Sequence, residues 1–181
     1  MRIILFIFFL NISLGICGEN PKDSICVDTL VYQPLSGSHL TYPIIIVKTR
    51  SENISKYCGA LCSSISSDKC ELSIKESGGE AYIKDGHSWV KFIDNGKLLG
   101  VEILTIGRLV KAESIIRVDN RTYFIFSLKE INIANNTNFT KYIYTLGEGI
   151  VAIQNEMTSY ITDEFNIPVE VIRHSSSPAD E

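Results

Sequence analysis

The chain has 181 residues, of which 45% are hydrophobic and 21% charged, and its formal net charge is −4. This length suffices for one domain with its own core. The basic residues are dispersed, which disfavours nucleic acid or an anionic membrane surface as a partner.

The first 17 residues predict a cleaved secretory signal peptide. Arg2 supplies a basic start, an apolar run follows, and small residues such as Ser13 and Gly15 come next. Cleavage after Gly15, Cys17 or Gly18 fits this pattern. The apolar run is too short to span a bilayer, and no later stretch is long enough. We therefore expect a secreted extracellular protein without a membrane span, with a single β-rich domain over residues 18–173 and a polar flexible tail over residues 174–181.

The rest of the chain predicts an all-β fold. Short β-like runs alternate with turn residues and amount to roughly nine to eleven strands. They fall in the segments 25–32, 43–49, 70–75, 80–104, 105–110, 113–118, 122–128, 141–146, 149–154, 158–162 and 168–173. Because most connections are short hairpins, we expect an antiparallel meander folded as a β-sandwich or an up-and-down barrel.

At most one short helix is expected, near residues 51–62. Ser51 can cap it, and Ile54, Tyr57 and Leu61 recur at helical spacing.

Residues 80–104 contain the clearest hairpin signals, the dipeptides Asp85-Gly86 and Asn95-Gly96. Turns of two residues around these dipeptides predict three antiparallel strands. In that register Tyr82 lies opposite Trp89, and Val90 lies opposite Val101.

This register gives the three strands one apolar face and one mixed face. The mixed face carries Tyr82, Trp89, Lys91 and Glu102. An aromatic surface edged with charge can stack on a sugar or form the centre of a protein interface. These four residues are the candidate binding site, and the alternative is that another segment covers them.

Four cysteines follow the predicted signal peptide: Cys26, Cys58, Cys62 and Cys70. An even number in an exported chain predicts two disulfides. We favour one bond from Cys26 to the Cys58/Cys62 segment and one from that segment to Cys70. The spacing lacks paired zinc-binding knuckles, so no metal site is predicted.

Four glycosylation sequons follow the signal peptide, at Asn53, Asn120, Asn135 and Asn138. Asn120 falls at a predicted hairpin tip, and the last two share a polar loop. These are exposed places where a glycan can project.

No catalytic or cofactor motif is present. The three histidines, His39, His87 and His174, form no metal-binding spacing, and no nucleophile elbow occurs. The spacing Gly86-x-x-Trp89 resembles the start motif of lipocalins, but it lies in the middle of the chain, so no family is inferred from it.

The leading hypothesis is therefore a secreted, non-enzymatic β domain that binds an extracellular protein or glycan. The alternative is a lipocalin-like carrier of a small apolar ligand, and a weaker alternative is a secreted hydrolase. A carrier requires an enclosed apolar cavity, whereas a binding module has a filled core. The sequence does not indicate the oligomeric state.

Overall fold

A computed structural model describes residues 16–17, 25–35, 42–59, 72–105, 108–130, 140–155, 158–162 and 164–176. These segments form fourteen strands and one helix. The strands are β1 (Ile16–Cys17), β2 (Ile25–Pro34), β3 (Ile44–Ser51), β4 (Ile54–Gly59), β5 (Leu72–Ser77), β6 (Glu80–Asp85), β7 (Ser88–Asp94), β8 (Lys97–Leu98), β9 (Glu102–Thr105), β10 (Arg108–Val118), β11 (Arg121–Glu130), β12 (Thr140–Thr145), β13 (Gly149–Gln154) and β14 (Ser159–Thr162), and the helix is α1 (Val169–Ser176).

One antiparallel sheet contains all the strands, and it is curled into a half-barrel. Its order is β8-β7-β6-β5-β4-β3-β2-β14-β13-β12-β11-β10-β9, with β1 paired to β2. Strands that are consecutive in the chain are neighbours from β1 to β8 and from β9 to β14, and β14 pairs with β2. β8 and β9 lie at opposite ends of the order. The predicted all-β antiparallel meander is confirmed, and the up-and-down order matches the barrel alternative more closely than two separate sheets.

Two turns illustrate how local sequence sets the strand ends. Asn95 and Gly96 both adopt positive φ between β7 and β8, as do Asp119 and Asn120 between β10 and β11. Two consecutive positive φ angles match the twist of a tight hairpin. The sequence predicted both hairpins.

The register predicted for the first hairpin of residues 80–104 is wrong. Gly86 adopts positive φ and Asp85 does not, so the turn is Gly86-His87, with Asp85 opposite Ser88. An irregularity between Ala81 and Tyr82 shifts the register again. The displaced turn alone puts Tyr82 opposite Lys91 rather than Trp89, and the irregularity then puts Ala81 opposite Ile93. A bulge of this kind inserts one residue without an opposite partner and leaves no turn signal.

The third predicted strand of this meander is also different. β8 contains only Lys97 and Leu98, the Leu99 amide still donates to the Phe92 carbonyl oxygen at 2.8 Å, and the chain then leaves β7. Residues 102–105 form β9, which pairs with β10 at the other end of the sheet order. Val101 therefore pairs with no residue of β7, and its carbonyl accepts a 3.4 Å hydrogen bond from the Ala112 amide instead.

The helix expected near residues 51–62 is wrong over its described part. Ser51 lies opposite Ile54 across a two-residue turn, and Ile54–Gly59 is strand β4. Pairing with β3 on one side and β5 on the other overrides the weak helical spacing.

The last predicted strand, residues 168–173, is helical instead. α1 begins after Pro168, has Glu170 in its first turn, and has Arg173 and His174 in its last turn. These charges complement the helix dipole. The helix includes residues 174–176 of the predicted tail.

The sheet carries two cores. Inside the curl lie the largest buried side chains, among them Tyr32, Tyr57, Tyr144, Phe92 and Phe126. On the outer face, α1 places Val171 and Ile172 against Tyr123, Ile125, Ile143 and Val151 of β11–β13. The helix thus covers one part of the outer face of the sheet.

Within the described segments, no helix has the length and apolar character needed to cross a bilayer.

Candidate functional site

Two of the four predicted binding residues form one cross-strand row. Tyr82 of β6 lies between Lys75 of β5 and Lys91 of β7. The ammonium groups lie 6.0 Å and 5.6 Å from the centre of the Tyr82 ring, within the range of cation–π attraction. The ring is therefore already engaged on both sides by the protein's own lysines.

An ion-pair network fixes this row. Lys91 donates to Glu80 at 2.6 Å and to Asp94 at 3.2 Å, and the Tyr82 hydroxyl donates to the other oxygen of Glu80. The hydrogen bond from Lys91 lowers the pKa of Glu80, and the bond to Glu80 raises the pKa of Tyr82 and of Lys91. All three groups hold their usual charge state at neutral pH, so the network stabilises the sheet surface and offers no proton-transfer group.

The other two predicted residues lie outside this row, Trp89 in the next row of the same face and Glu102 on another strand. Trp89 is opposite Lys84, on the outer side of β7, and is partly exposed. Glu102 lies on β9 opposite Lys111 of β10. The structure thus joins Tyr82 to Lys91 and separates Glu102 from the row in which the sequence placed it.

The described cysteines lie on different faces of the sheet. Cys26 shares the inner side of β2 with the buried Leu30 and Tyr32, and it lies opposite Cys17 of β1. Cys58 is present as a thiol and alternates with the buried Tyr57, which places it on the outer side of β4. Opposite faces disfavour a direct bond between Cys26 and Cys58. Cys62 and Cys70 lie outside the described residues, and the two disulfides stay a prediction.

Two of the four sequons lie in described turns. Asn53 is exposed between β3 and β4, and Asn120 is exposed at the β10–β11 tip. Asn135 and Asn138 fall outside the described residues. Glycosylation at these sites stays a prediction.

A different surface stands out in the structure: the outer side of β2 and β3. We call Ile25, Val27, Val31, Ile45 and Val47 the apolar face. Because successive side chains alternate across a strand, these odd-numbered residues point outward while Leu30, Tyr32 and Ile46 fill the core. Val31 lies opposite Ile45, and Thr29 lies opposite Val47. The five side chains therefore form one contiguous patch with Thr29 at its centre.

The exposure of this patch is unusual for strands so rich in aliphatic residues. Ile45 is 54% exposed and Val47 is 38% exposed. The same strands continue, through β14, into the part of the outer face that α1 covers. Sequence reasoning missed the patch because the segment 43–49 contains a continuous apolar run, which predicts burial on both sides.

No protein-family model, curated protein or solved structure matches the chain.

Proposed function

We propose that this chain is an exported binding protein that docks on another protein through its apolar face. The observation that carries the proposal is the contiguous exposure of Val27, Val31, Ile45 and Val47 on two paired strands. Contiguous exposed apolar patches on a folded domain mark interaction sites. A signal-like N-terminus adds support for an extracellular partner.

The chemistry of the patch favours a protein over a glycan. A sugar is held by hydrogen bonds to its hydroxyls and by aromatic stacking, whereas Val and Ile offer neither. Thr29 supplies the one hydroxyl at the centre of the patch. An aliphatic surface of another protein can exclude water from these side chains, which is the main source of affinity at an interface core.

A carrier of an apolar ligand is less well supported. Rings from opposite parts of the sheet meet in the interior: Phe92 lies 6.0 Å from both Phe126 and Tyr144, and Phe126 stacks on Tyr142 at 5.4 Å. A carrier would need an apolar cavity of roughly 300 Å³ or more at this place. The rings occupy the position where such a ligand would lie.

Site-specific photo-crosslinking tests the proposal. A benzophenone amino acid replaces Thr29 at the centre of the apolar face, and the secreted protein is irradiated among the proteins of its own extracellular medium. We expect one discrete adduct with a different protein. In the matched control, the benzophenone amino acid replaces Lys84, which is exposed on β6. This protein should give no such adduct.

Adducts of equal yield from both positions, or none from position 29, would overturn the proposal. An adduct with only a second copy of this chain would do so as well.

A further inference from the structure

The inner side of β3 opens into a cleft that is distinct from the apolar face on its outer side. The cleft has a volume of about 260 Å³. Lys48, Arg50 and Ser55 line it on one side, Glu76 and Glu80 on another, and Gly147 of the β12–β13 turn lies across it. Asn53 and Glu52 contribute to its rim.

Strand pairing places four hydrogen-bond donors together beside this cleft. Lys48 lies opposite Tyr57, and Arg50 lies opposite Ser55. Side chains at directly opposite positions are about 5 Å apart at Cβ, so the four groups form a compact square on one side of β3 and β4. Lys48, Arg50 and Ser55 line the cleft, and Tyr57 lies behind them, fully buried.

Of the two cations in this square, Lys48 is buried, whereas Arg50 is exposed. Lys48 is only 7% exposed, yet its ammonium group donates to one described acceptor, the Glu148 carbonyl oxygen at 2.7 Å. A lysine carries three donor hydrogens, so two remain. Arg50 makes no hydrogen bond or ion pair with any residue that the structure describes. Burial lowers the pKa of Lys48, and the nearby Arg50 lowers it further, while Asp28, which lies opposite Lys48 on β2, and the carboxylates of Glu76 and Glu164 partly offset this change.

The carboxylates around the cleft are, in contrast, mostly satisfied. One oxygen of Glu76 accepts from the Tyr144 hydroxyl, and the other accepts from the Gly147 amide at 2.9 Å. Glu80 accepts from Tyr82 and Lys91. The hydrogen bonds of these carboxylates therefore join the strands and the turn that line the cleft. The hydrogen-bond donors without a described acceptor belong to Lys48 and Arg50.

A second observation indicates an incomplete polar site. The Tyr57 hydroxyl is fully buried and makes no hydrogen bond of good geometry with a described residue, although the Ile150 backbone and the Ser55 side chain lie close enough to lower its pKa. Its ring lies 5.9 Å from the Lys48 ammonium. Burial raises the pKa of this hydroxyl. A buried hydroxyl without a partner costs free energy.

From these contacts we infer that the cleft binds a small organic anion, about the size of one sugar ring, through a singly charged carboxylate or sulfate group. Arg50 presents the fork that matches such a group, and Lys48 adds a point charge beside it. Glu52, Glu76 and Glu80 limit how much negative charge the cleft tolerates, so a phosphate dianion fits less well. This site and the apolar face are independent, since they lie on opposite sides of β3.

Isothermal titration calorimetry tests this inference. The secreted protein is treated to remove N-glycans, because Asn53 lines the cleft, and is titrated with glucuronate, glucose 6-sulfate, glucose 6-phosphate and glucose. We expect glucuronate or glucose 6-sulfate to bind more tightly than the other two. Arg50→Gln should weaken that binding about tenfold or more, since a hydrogen bond to a charged group is lost.

Arg173→Gln, an exposed arginine on α1, is the matched control and should leave the affinity unchanged. Ser55→Ala provides a second variant that retains the charge of the site, and it should weaken binding less than Arg50→Gln. Binding of glucose as tight as that of glucuronate overturns the inference. So does the absence of binding by both acids, tighter binding of the phosphate, or an affinity that Arg50→Gln does not change.

Discussion

At the scale of single residues, Gly149 is the position that the interior constrains most. It begins β13 with φ of +95°, a conformation that favours glycine. A methyl group there would overlap the Tyr57 hydroxyl oxygen and lie 3.2 Å from Lys48 Nζ. The close approach of Tyr57 and the β12–β13 turn thus depends on a glycine.

Gly149→Ala should lower the free energy of unfolding by about 3 kcal/mol, because backbone strain and overlap each cost about 1–3 kcal/mol. Chemical denaturation measures this change. Gly100→Ala is the matched control, since Gly100 has no atoms within 4 Å of a new Cβ and does not adopt positive φ. Equal losses for the two variants would contradict this explanation.

Two buried tyrosines make a second residue-scale comparison. Tyr32 donates from its hydroxyl to the Ile150 carbonyl oxygen at 2.8 Å, whereas the hydroxyl of Tyr57 has no partner among the described residues. Tyr32→Phe should cost about 1–2 kcal/mol because it leaves a buried carbonyl with one partner fewer. Tyr57→Phe should be neutral or stabilising. Urea denaturation of both variants checks the order, and a larger loss for Tyr57→Phe would show that its hydroxyl is bonded.

At the scale of elements, α1 shows why part of the outer face is covered. Val171 of the helix is fully buried against the sheet, whereas Val169 at the first position is 60% exposed. The helix is short, so its stability comes from this packing rather than from intrinsic propensity.

Val171→Ala should therefore lower the free energy of unfolding by about 2 kcal/mol, the value of burying a valine side chain. Val169→Ala on the same helix should change it by less than about 0.5 kcal/mol. Thermal or urea unfolding distinguishes the two variants. Equal effects would mean that α1 does not dock through Val171.

The elements also show where sequence reasoning succeeds. Asn95-Gly96 and Asp119-Asn120 define their hairpins locally, because positive φ is a property of those residues themselves. The bulge at Ala81–Tyr82 lies within the β6–β7 hairpin, and the departure of the chain after Leu99 depends on the pairing of β9 with β10. No local signal carries that information, so Glu102 was placed in the wrong row.

The candidate sites also differ in whether local sequence or strand pairing determines them. Alternation correctly separates the side chains of β6, with Ala81 and Ile83 buried and Tyr82 partly exposed, but on β7 the adjacent Phe92 and Ile93 are both buried. The apolar face and the cleft were not predicted, since each depends on which strands pair and on what covers them. Val31 and Ile45 are 14 residues apart in sequence, yet they lie opposite each other.

At the scale of the whole molecule, three tyrosines make the free energy of unfolding depend on pH. Burial raises the pKa of Tyr32, Tyr57 and Tyr144 above the ordinary value of 10.0. At a pH just above 10, these tyrosines stay protonated in the folded protein, whereas they lose their protons in the unfolded chain. Their contribution to stability is full below pH 10 and decreases as the pH rises above it. The lowered pKa of Lys48 acts in the opposite direction, since the unfolded chain binds that proton more tightly.

We therefore expect the free energy of unfolding to fall above about pH 10, because three tyrosines outweigh one lysine. Urea denaturation between about pH 8 and pH 11, combined with tyrosinate absorbance, measures both effects. Tyr32, Tyr57 and Tyr144 should ionise only as the protein unfolds. Ionisation of all eight tyrosines while the circular dichroism stays native would contradict the packed interior.

The most direct test of the central claim introduces Ile45→Asp into the protein with the photo-crosslinker at position 29. Ile45 is 54% exposed, so the added charge should leave the fold unchanged while it places a carboxylate in the apolar face. His87→Asp, at the exposed β6–β7 turn, adds the same charge away from the face. We predict that Ile45→Asp abolishes the adduct with the partner protein and that His87→Asp preserves it. An adduct of unchanged yield in folded Ile45→Asp protein would show that the apolar face is not the docking surface.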